Sequence, residues 1–183
     1  MPTIQLDKTE KDFNEPPEDN AVPKEGLVRI NLGCNKRPKE GYINVDLEAY
    51  PGVDVTCDLN GDWPWDDNSV DEIVAYDLVE HLPNAIHTMN EAWRILKPGG
   101  VFEILVPSTD YRGAFQDPTH VSFWNENSFL YYMDEKYSGS LRYLYCDGKH
   151  NPIKCRFKSR YIATSTPNPL QISWVKAIIE AVK

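Results

Sequence analysis

The chain has 183 residues, of which 41% are hydrophobic and 11% aromatic, and its 28 Asp and Glu outnumber its 19 Lys and Arg. This length and apolar content predict one folded domain and exclude disorder of the whole chain. The formal net charge of −9 argues against general nucleic-acid binding, because a protein that grips the phosphate backbone needs a basic surface.

Residues 1–25 differ in composition from the rest of the chain. They contain four prolines, seven acidic residues and few aliphatic ones, so they bury too little apolar surface to offset the entropy lost on ordering. We expect a flexible, acidic, proline-rich arm at residues 1–25, followed by a single domain at residues 26–183.

The sequence shows no sign of a membrane or secretory segment. No stretch reaches the roughly 18 apolar residues that a transmembrane helix needs, and residues 1–20 have neither a basic start nor an apolar run. The four cysteines form no Cys-x-x-Cys pair, which is expected of reduced thiols rather than of a disulfide framework or a zinc site. We therefore expect a cytoplasmic protein with no membrane contact and no metal site.

Short apolar segments in the first half of the domain predict four strands, at residues 27–32, 42–46, 53–56 and 70–76. Only residues 34–41 link the first two strands, whereas a parallel crossover normally takes a dozen or more residues and includes a helix. If these two strands are parallel neighbours, the first crossover is shortened and its helix is vestigial.

The clearest helix signal covers residues 83–96, where Ile86, Met89, Trp93 and Leu96 recur on one face. Residues 97–100 should end this helix, because proline cannot continue it and glycine permits the turn.

The remaining elements are predicted from shorter patterns. Residues 101–106, 143–145 and 157–163 predict strands, and residues 125–133 predict a short capped helix. Residues 171–182 fit either a strand or a helix, and the alternation of apolar residues favours the strand. Strands that alternate with crossovers indicate an α/β domain with a largely parallel sheet.

Polar residues gather where the predicted strands end, which is where open α/β sheets bind their ligands. A glycine after the first strand lets the backbone approach a ligand, and an aspartate that closes the second can accept both hydroxyls of a ribose. The residues that follow the four strands are Gly33, Asp46, the pair Asp58 and Leu59, and the group Asp77, Glu80 and His81.

Five segments carry a family resemblance: Ile30–Asn35, Gly41–Asp46, Cys57–Leu59, Val79–Leu82 and Glu91–Gly100. In this order and spacing they resemble the successive motifs of the class I S-adenosylmethionine-dependent methyltransferases. The segment from Asp117 to Trp124 is also similar to one in small members of that family. The resemblance implies a Rossmann-like, mostly parallel sheet of about seven strands, of the methyltransferase type, with a shortened first crossover.

The resemblance also implies S-adenosylmethionine as the cofactor and S-adenosylhomocysteine as its product. Residues at the first strand end would lie under the methionine part, an aspartate would bind the ribose hydroxyls, and apolar residues would hold the adenine. The implied cofactor contacts are Leu32, Gly33, Cys34 and Asn35 at the first strand, Asp46 and Leu47 at the second, Asp58 and Leu59 at the third, and Asp77 near the methionine amino group or the substrate.

The loop after the first strand departs from the family pattern. Asn35 and Arg37 stand where the family has glycines, and of the two only asparagine tolerates left-handed backbone well. The short crossover also removes the positive helix terminus that would lie near the cofactor. We expect these departures from the family pattern to weaken cofactor binding.

Methyl transfer from a sulfonium requires in-line placement of the acceptor and a base when the acceptor carries a proton. His81 and His120 are the candidate catalytic bases, and Tyr111 and Trp124 are candidate substrate walls. We predict transfer to oxygen or nitrogen of a small-molecule or saccharide acceptor. Seven basic and two acidic residues in 147–183 also allow an anionic acceptor, although a solvated surface strand explains them too.

Two other functions remain open. A cofactor-binding or assembly protein could keep the fold without catalysis, and the altered loop after Gly33 motivates this alternative. A nicotinamide-dependent oxidoreductase fits less well, because Gly-x-Gly-x-x-Gly is absent and Asp46 follows Gly33 by only 13 residues, short of the roughly 20 in that fingerprint.

Deletion of residues 1–24 tests the predicted arm. Because the arm is expected to make few contacts, thermal unfolding followed by circular dichroism should show a melting temperature within a few degrees of the full chain. A drop of many degrees would mean that the arm packs on the core.

Overall fold

The computed structural model describes residues 26–138 and 152–183, and a seven-stranded sheet dominates them. The order of the strands across the sheet is β3-β2-β1-β4-β5-β7-β6. Only β7 runs against its neighbours, so six of these strands are parallel. The strands are β1 (Arg29–Leu32), β2 (Ile43–Asp46), β3 (Val55–Thr56), β4 (Val70–Tyr76), β5 (Leu96–Pro107), β6 (Phe157–Thr164) and β7 (Trp174–Ala181).

Helices are short and few in the described residues. The longest is α1 (Ala85–Ile95), and two single-turn helices, α2 (Gly113–Gln116) and α3 (Glu135–Ser138), follow β5. Two 3₁₀ helices cover Val79–His81 and Glu126–Tyr132. None of the helices in residues 26–138 and 152–183 has the length and apolar character needed to span a bilayer.

One face of the sheet forms the core. In the register, Ile30 pairs with Ile43 on one side and with Ile73 on the other, and Ile73 pairs in turn with Phe102. Residues paired across parallel strands point to the same face, so these apolar side chains form a continuous row against α1 and the segments after β5. Ile30, Ile73 and Phe102 are fully buried.

The opposite face carries polar networks. No helix occurs between β1 and β4, a stretch that is described without gaps, so the first crossover is short, as predicted. Glu103 on this face accepts a hydrogen bond from the hydroxyl of Tyr76 at 2.7 Å and pairs with Lys176 at 3.0 Å. Burial and the adjacent Glu103 raise the pKa of Tyr76, which keeps this hydroxyl a proton donor.

The structure corrects the helix prediction at both ends. Asn84 caps α1 by accepting a hydrogen bond from the backbone of His87 at 3.0 Å, so the helix starts at Ala85 and not at residue 83. It ends at Ile95, and its buried side chains are Thr88, Met89, Ala92 and Ile95. Of the predicted face, Met89 is buried and Ile86 and Trp93 are partly buried against the core, whereas Leu96 belongs to the next strand.

Strand β5 starts at Leu96, five residues before the predicted start. The helix does end before residues 97–100, as predicted. These four residues, however, form an irregular part of β5. Val70 pairs with Leu96 and Glu72 with Val101, so the extra residues are accommodated by a bulge. Lys97 anchors this bulge through an ion pair to Asp71 at 2.6 Å.

The C-terminal predictions are largely confirmed. Residues 174–181 form a strand, as favoured, and β6 ends one residue beyond its prediction. The short helix predicted over 125–133 is the second 3₁₀ helix, capped by a reciprocal pair of hydrogen bonds between Asn125 and Ser128. The strand predicted at 143–145 and the arm at residues 1–25 lie outside the described residues.

Arg94 connects α1 to the loop before β4. Its guanidinium donates to the carbonyl oxygens of Trp63 and Trp65 at 3.0 and 2.8 Å, and it also binds the carboxylates of Glu91 and Asp67. Lysine keeps the charge but cannot reproduce this planar set of donors.

We expect Arg94→Lys to lower the free energy of unfolding by about 1–2 kcal/mol, because carbonyl oxygens lose their donors. Denaturant unfolding measures the change. Arg160→Lys is the matched control, since Arg160 pairs with Glu180 at an exposed edge and its replacement should cost less than about 0.5 kcal/mol. Equal losses in the two variants would contradict this role for Arg94.

Candidate functional site at the carboxyl ends of β1, β2 and β4

The chain turns sharply after β1 through two residues with left-handed backbone. Gly33 has φ +63° and Asn35 has φ +47°, so asparagine adopts the conformation for which the family pattern has glycine. Between them Cys34 is buried, and its backbone N–H donates to the Val45 carbonyl at 3.0 Å. Burial, and then the nearby Asp46 carboxylate, raise the pKa of the Cys34 thiol, so this thiol stays protonated at neutral pH.

Asp46 ties the turn after β1 to the end of β2. Its Oδ2 accepts the backbone N–H of Asn35 at 2.7 Å, and its Oδ1 accepts that of Glu48 at 3.2 Å. Each carboxylate oxygen can accept two hydrogen bonds, so both oxygens keep one acceptor position. The arrangement therefore serves as a turn cap and leaves room for a pair of hydroxyls.

The residues predicted to hold an adenine lie in different environments. The Leu47 side chain is 60% exposed beside Asp46, whereas Leu59 is buried in the core. Asp58 is exposed, and its Oδ1 accepts hydrogen bonds from the backbone and side chain of Asn60 at 3.0 and 2.8 Å. Leu32 is likewise buried, so its side chain belongs to the core.

The segment after β4 packs against the turn after β1. Asp77 has φ +50°, a conformation rarely adopted by residues other than glycine, and its N–H donates to the Leu105 carbonyl at 2.8 Å. The next side chain, Leu78, lies directly against Gly33: a Cβ on Gly33 would be 2.8 Å from Leu78 Cδ1. The two strand ends are therefore in contact.

Beyond Leu78, the structure brings Glu80, His81 and His120 together. One potential ligand atom from each of them lies within 4.8 Å of the other two. The two imidazole rings meet edge to face with their centroids 4.9 Å apart. Glu80 is 2% exposed, and His81 and His120 are half-buried.

Hydrogen bonds orient both histidines. His120 Nδ1 lies 2.9 Å from the Ala114 carbonyl oxygen, and His81 Nδ1 lies 3.2 Å from the Thr119 carbonyl oxygen. The hydroxyl and backbone N–H of Thr119 both donate to Asp117 Oδ1. These bonds lower the pKa of Asp117, so its carboxylate is ionised at neutral pH.

The two predicted substrate walls occupy different positions. Tyr111 is 37% exposed and lines a pocket of about 450 Å³ at the carboxyl ends of β5 and β6, together with Asn125, Thr164 and Ser165. Trp124 is 2% exposed, and its ring packs against Phe129 in the core.

Glu80 is the member of this cluster to which the sequence analysis assigned no role, although it counted Glu80 among the polar residues after the fourth strand. Its position directly before His81 was a signal, but nothing in the sequence pairs it with His120. That pairing comes from the backbone, because the N–H groups of Val121 and Ser122 both donate to the Glu80 carbonyl, at 2.8 and 3.0 Å.

Part of this sequence is similar to known proteins. Residues 37–104 match the family model of a methyltransferase domain. A curated protein of Mycolicibacterium smegmatis, named as a probable S-adenosylmethionine-dependent methyltransferase, is 37% identical over 59 residues. That alignment covers 32% of this chain and only 23% of the relative, so the chain matches less than a quarter of the relative's length.

Solved structures share the fold over most of the chain. The 1,6-didemethyltoxoflavin-N1-methyltransferase of Burkholderia thailandensis, solved with S-adenosylhomocysteine, aligns with a TM-score of 0.58 at 12% identity, over 85% of this chain and 71% of that one. An S-adenosylmethionine-dependent methyltransferase of Methanosarcina mazei aligns with a TM-score of 0.55 at 13% identity, over 87% and 94% of the two chains. Residues 37–104 of this chain are therefore similar to a methyltransferase domain, and the described residues share the fold of solved S-adenosylmethionine-dependent methyltransferases.

The contact between Gly33 and Leu78 can be tested with a matched pair of glycines. Gly33→Ala forces both a left-handed alanine, which costs about 1–2 kcal/mol, and a displacement of Leu78. Gly41→Ala has a similar strain, at φ +78°, but an added methyl there meets nothing within 4 Å. We expect denaturant unfolding to show a larger loss for Gly33→Ala, and Leu78→Ala to remove the difference between the two variants. Equal losses would mean that the contact does not constrain the turn.

Proposed function

We propose that this chain transfers a methyl group from S-adenosylmethionine to an oxygen or nitrogen of a small-molecule or saccharide acceptor. The observation that carries the proposal is the Asn35–Asp46 hydrogen bond of 2.7 Å, which holds the carboxylate at the end of β2 beside the left-handed turn after β1. Residues 37–104, which match a methyltransferase domain, run directly on from this turn.

The strand ends provide what a cationic nucleoside cofactor needs. The remaining acceptor positions of Asp46 would take the two ribose hydroxyls, and the exposed Leu47 would cover one face of the adenine while Asp58 receives its amino group. The turn Gly33–Asn35 would lie under the methionine part, with Asp77 at its amino group. When bound, the cofactor supplies an electrophilic methyl group on a positively charged sulfur.

The acceptor side lies after β4 and β5. Tyr111 would form a wall of the polar pocket of about 450 Å³, whereas the buried Trp124 would act through the backbone it anchors, since its carbonyl accepts the N–H of Thr109 at 2.8 Å. We propose that His81 and His120 activate the acceptor. An anionic acceptor has less support, because Lys158 and Arg160 both pair with Glu180.

The inactive alternative is not favoured. This alternative was motivated by the loop after Gly33, where Asn35 stands in place of a family glycine. Asn35 adopts the left-handed conformation that a glycine would supply there. Arg37 is also accommodated in the turn, where its N–H donates to the Cys34 carbonyl at 2.9 Å.

Calorimetry with S-adenosylmethionine and S-adenosylhomocysteine tests the cofactor site. We expect both to bind the wild-type chain and Asp46→Asn to weaken each at least tenfold, because charge-assisted hydrogen bonds to the ribose are lost. Asp66→Asn, which makes the same charge change at an exposed turn, should leave both affinities unchanged. If neither compound binds the wild-type chain at millimolar concentration, the proposed activity is excluded. Unchanged affinity in Asp46→Asn would mean that the site lies elsewhere.

A further inference from the structure

Backbone hydrogen bonds hold Glu80, His81 and His120 close to one another. Val121 N and Ser122 N donate to the Glu80 carbonyl, and Ser122 Oγ donates to the Val79 carbonyl at 2.8 Å. The loop that carries His120 is therefore held against the 3₁₀ helix that carries the other two residues.

The hydrogen bonds also determine which ring nitrogen of each histidine keeps a lone pair. A carbonyl oxygen only accepts, so His120 Nδ1, at 2.9 Å from the Ala114 carbonyl, carries the proton, and its Nε2 carries the lone pair. The same holds for His81, because Thr119 uses its hydroxyl proton on Asp117 at 2.6 Å and offers His81 Nδ1 two acceptor oxygens at 3.2 Å. Histidines whose second nitrogen is held by a carbonyl or hydroxyl oxygen in this way are typical metal ligands.

From these observations we propose that Glu80, His81 and His120 bind a divalent metal ion at the carboxyl end of β4. Ligands at 2.0–2.2 Å from a metal lie about 3–3.5 Å from one another, so small side-chain rotations from the present limit of 4.8 Å complete the set. Two imidazoles and one carboxylate suit zinc and the first-row transition metals, including manganese, iron and cobalt.

Three protein ligands leave coordination positions open, as in catalytic rather than structural metal sites. Asp117 and Thr119 are exposed, so the open side faces solvent, and Asp117 Oδ2 lies 3.9 Å from His120 Nε2. This carboxylate stands at the entrance, where it would attract a cation.

The role of the metal ion rests on the proposed function. Leu78 touches Gly33 and is two residues before Glu80, so the ion would lie next to the proposed methionine site. An acceptor hydroxyl bound to the ion would have a lowered pKa and lose its proton to solvent. Its oxygen would then form the bond to the methyl carbon, while the S–CH₃ bond breaks and its electron pair stays on sulfur. His81 and His120 would thus activate the acceptor as metal ligands, in place of the base role predicted from the sequence.

The test is titration of the full chain, freed of metal with a chelator, with Co²⁺, Mn²⁺ and Zn²⁺ alone. We expect a site that His120→Ala and His81→Ala each weaken at least 100-fold, with Co²⁺ absorption bands that indicate nitrogen ligands. Bound Mn²⁺ should enhance the relaxation of water protons, because water occupies the open positions. His87→Ala is the matched control, since His87 lies on α1 with its Nε2 2.8 Å from the Gly61 carbonyl, and it should bind as the wild type does.

Thr119→Val gives a second variant that removes no ligand, and circular dichroism checks that each variant is folded. It should weaken the metal affinity about tenfold, through the loss of the hydroxyl beside His81. Metal affinity that is no tighter than millimolar, or that His120→Ala leaves unchanged, would overturn the metal site. Calorimetry with S-adenosylmethionine in the presence of the chelator separates the two proposals, because cofactor binding without metal binding leaves the proposed function intact.

Discussion

The parallel pairing of β1 with β2 on one side and β4 on the other is the constraint on which the site depends. It aligns Leu32 with Val45 and with Ala75, so the three strands end at the same edge of the sheet and point in the same direction. The turn at Gly33, the Asp46 carboxylate and the Leu78 side chain meet there for that reason. Parallel strands cannot be joined by tight turns and usually need a crossover helix. The connection between β1 and β2, all of which the structure describes, is unusual because it contains no helix.

Because the first crossover has no helix, the turn after β1 is stabilised in another way. In place of a helix terminus, a side chain closes the turn: Asp46 accepts one N–H from the turn after β1 and another from its own loop. The face of the sheet that lacks crossover helices between β1 and β4 carries a polar network, in which Glu103 binds both Tyr76 and Lys176. These side chains are largely buried, so each of their polar groups is matched by a hydrogen bond or an ion pair.

The same edge combines two kinds of chemistry within a few residues. Asp46 and Leu47 offer a carboxylate and an exposed apolar surface suited to a nucleoside. Across the contact between Gly33 and Leu78, Glu80 and two oriented histidines offer one oxygen and two nitrogen ligands. The proposed methyl transfer uses the first group to place the electrophile and the second to prepare the acceptor. The backbone hydrogen bonds of Val121 and Ser122 to Glu80 hold the second group together, and Leu78 against Gly33 joins it to the first.

Local sequence was sufficient to predict the first strands, the single long helix and the α/β class, because each follows from short-range patterns of apolar, proline and glycine residues. It misplaced the start of β5, since only pairing with β4 turns Lys97–Gly100 into a bulge, and it put Trp124 on a pocket wall although core packing buries the ring. It named His81 and His120 as candidate bases without predicting that they lie together, and it assigned no role to Glu80. The sequence by itself determined which elements form and which residues end the strands, while the tertiary structure decided which of those residues meet. The physical reason is that the meeting depends on long-range backbone hydrogen bonds, which leave no periodic pattern in the chain.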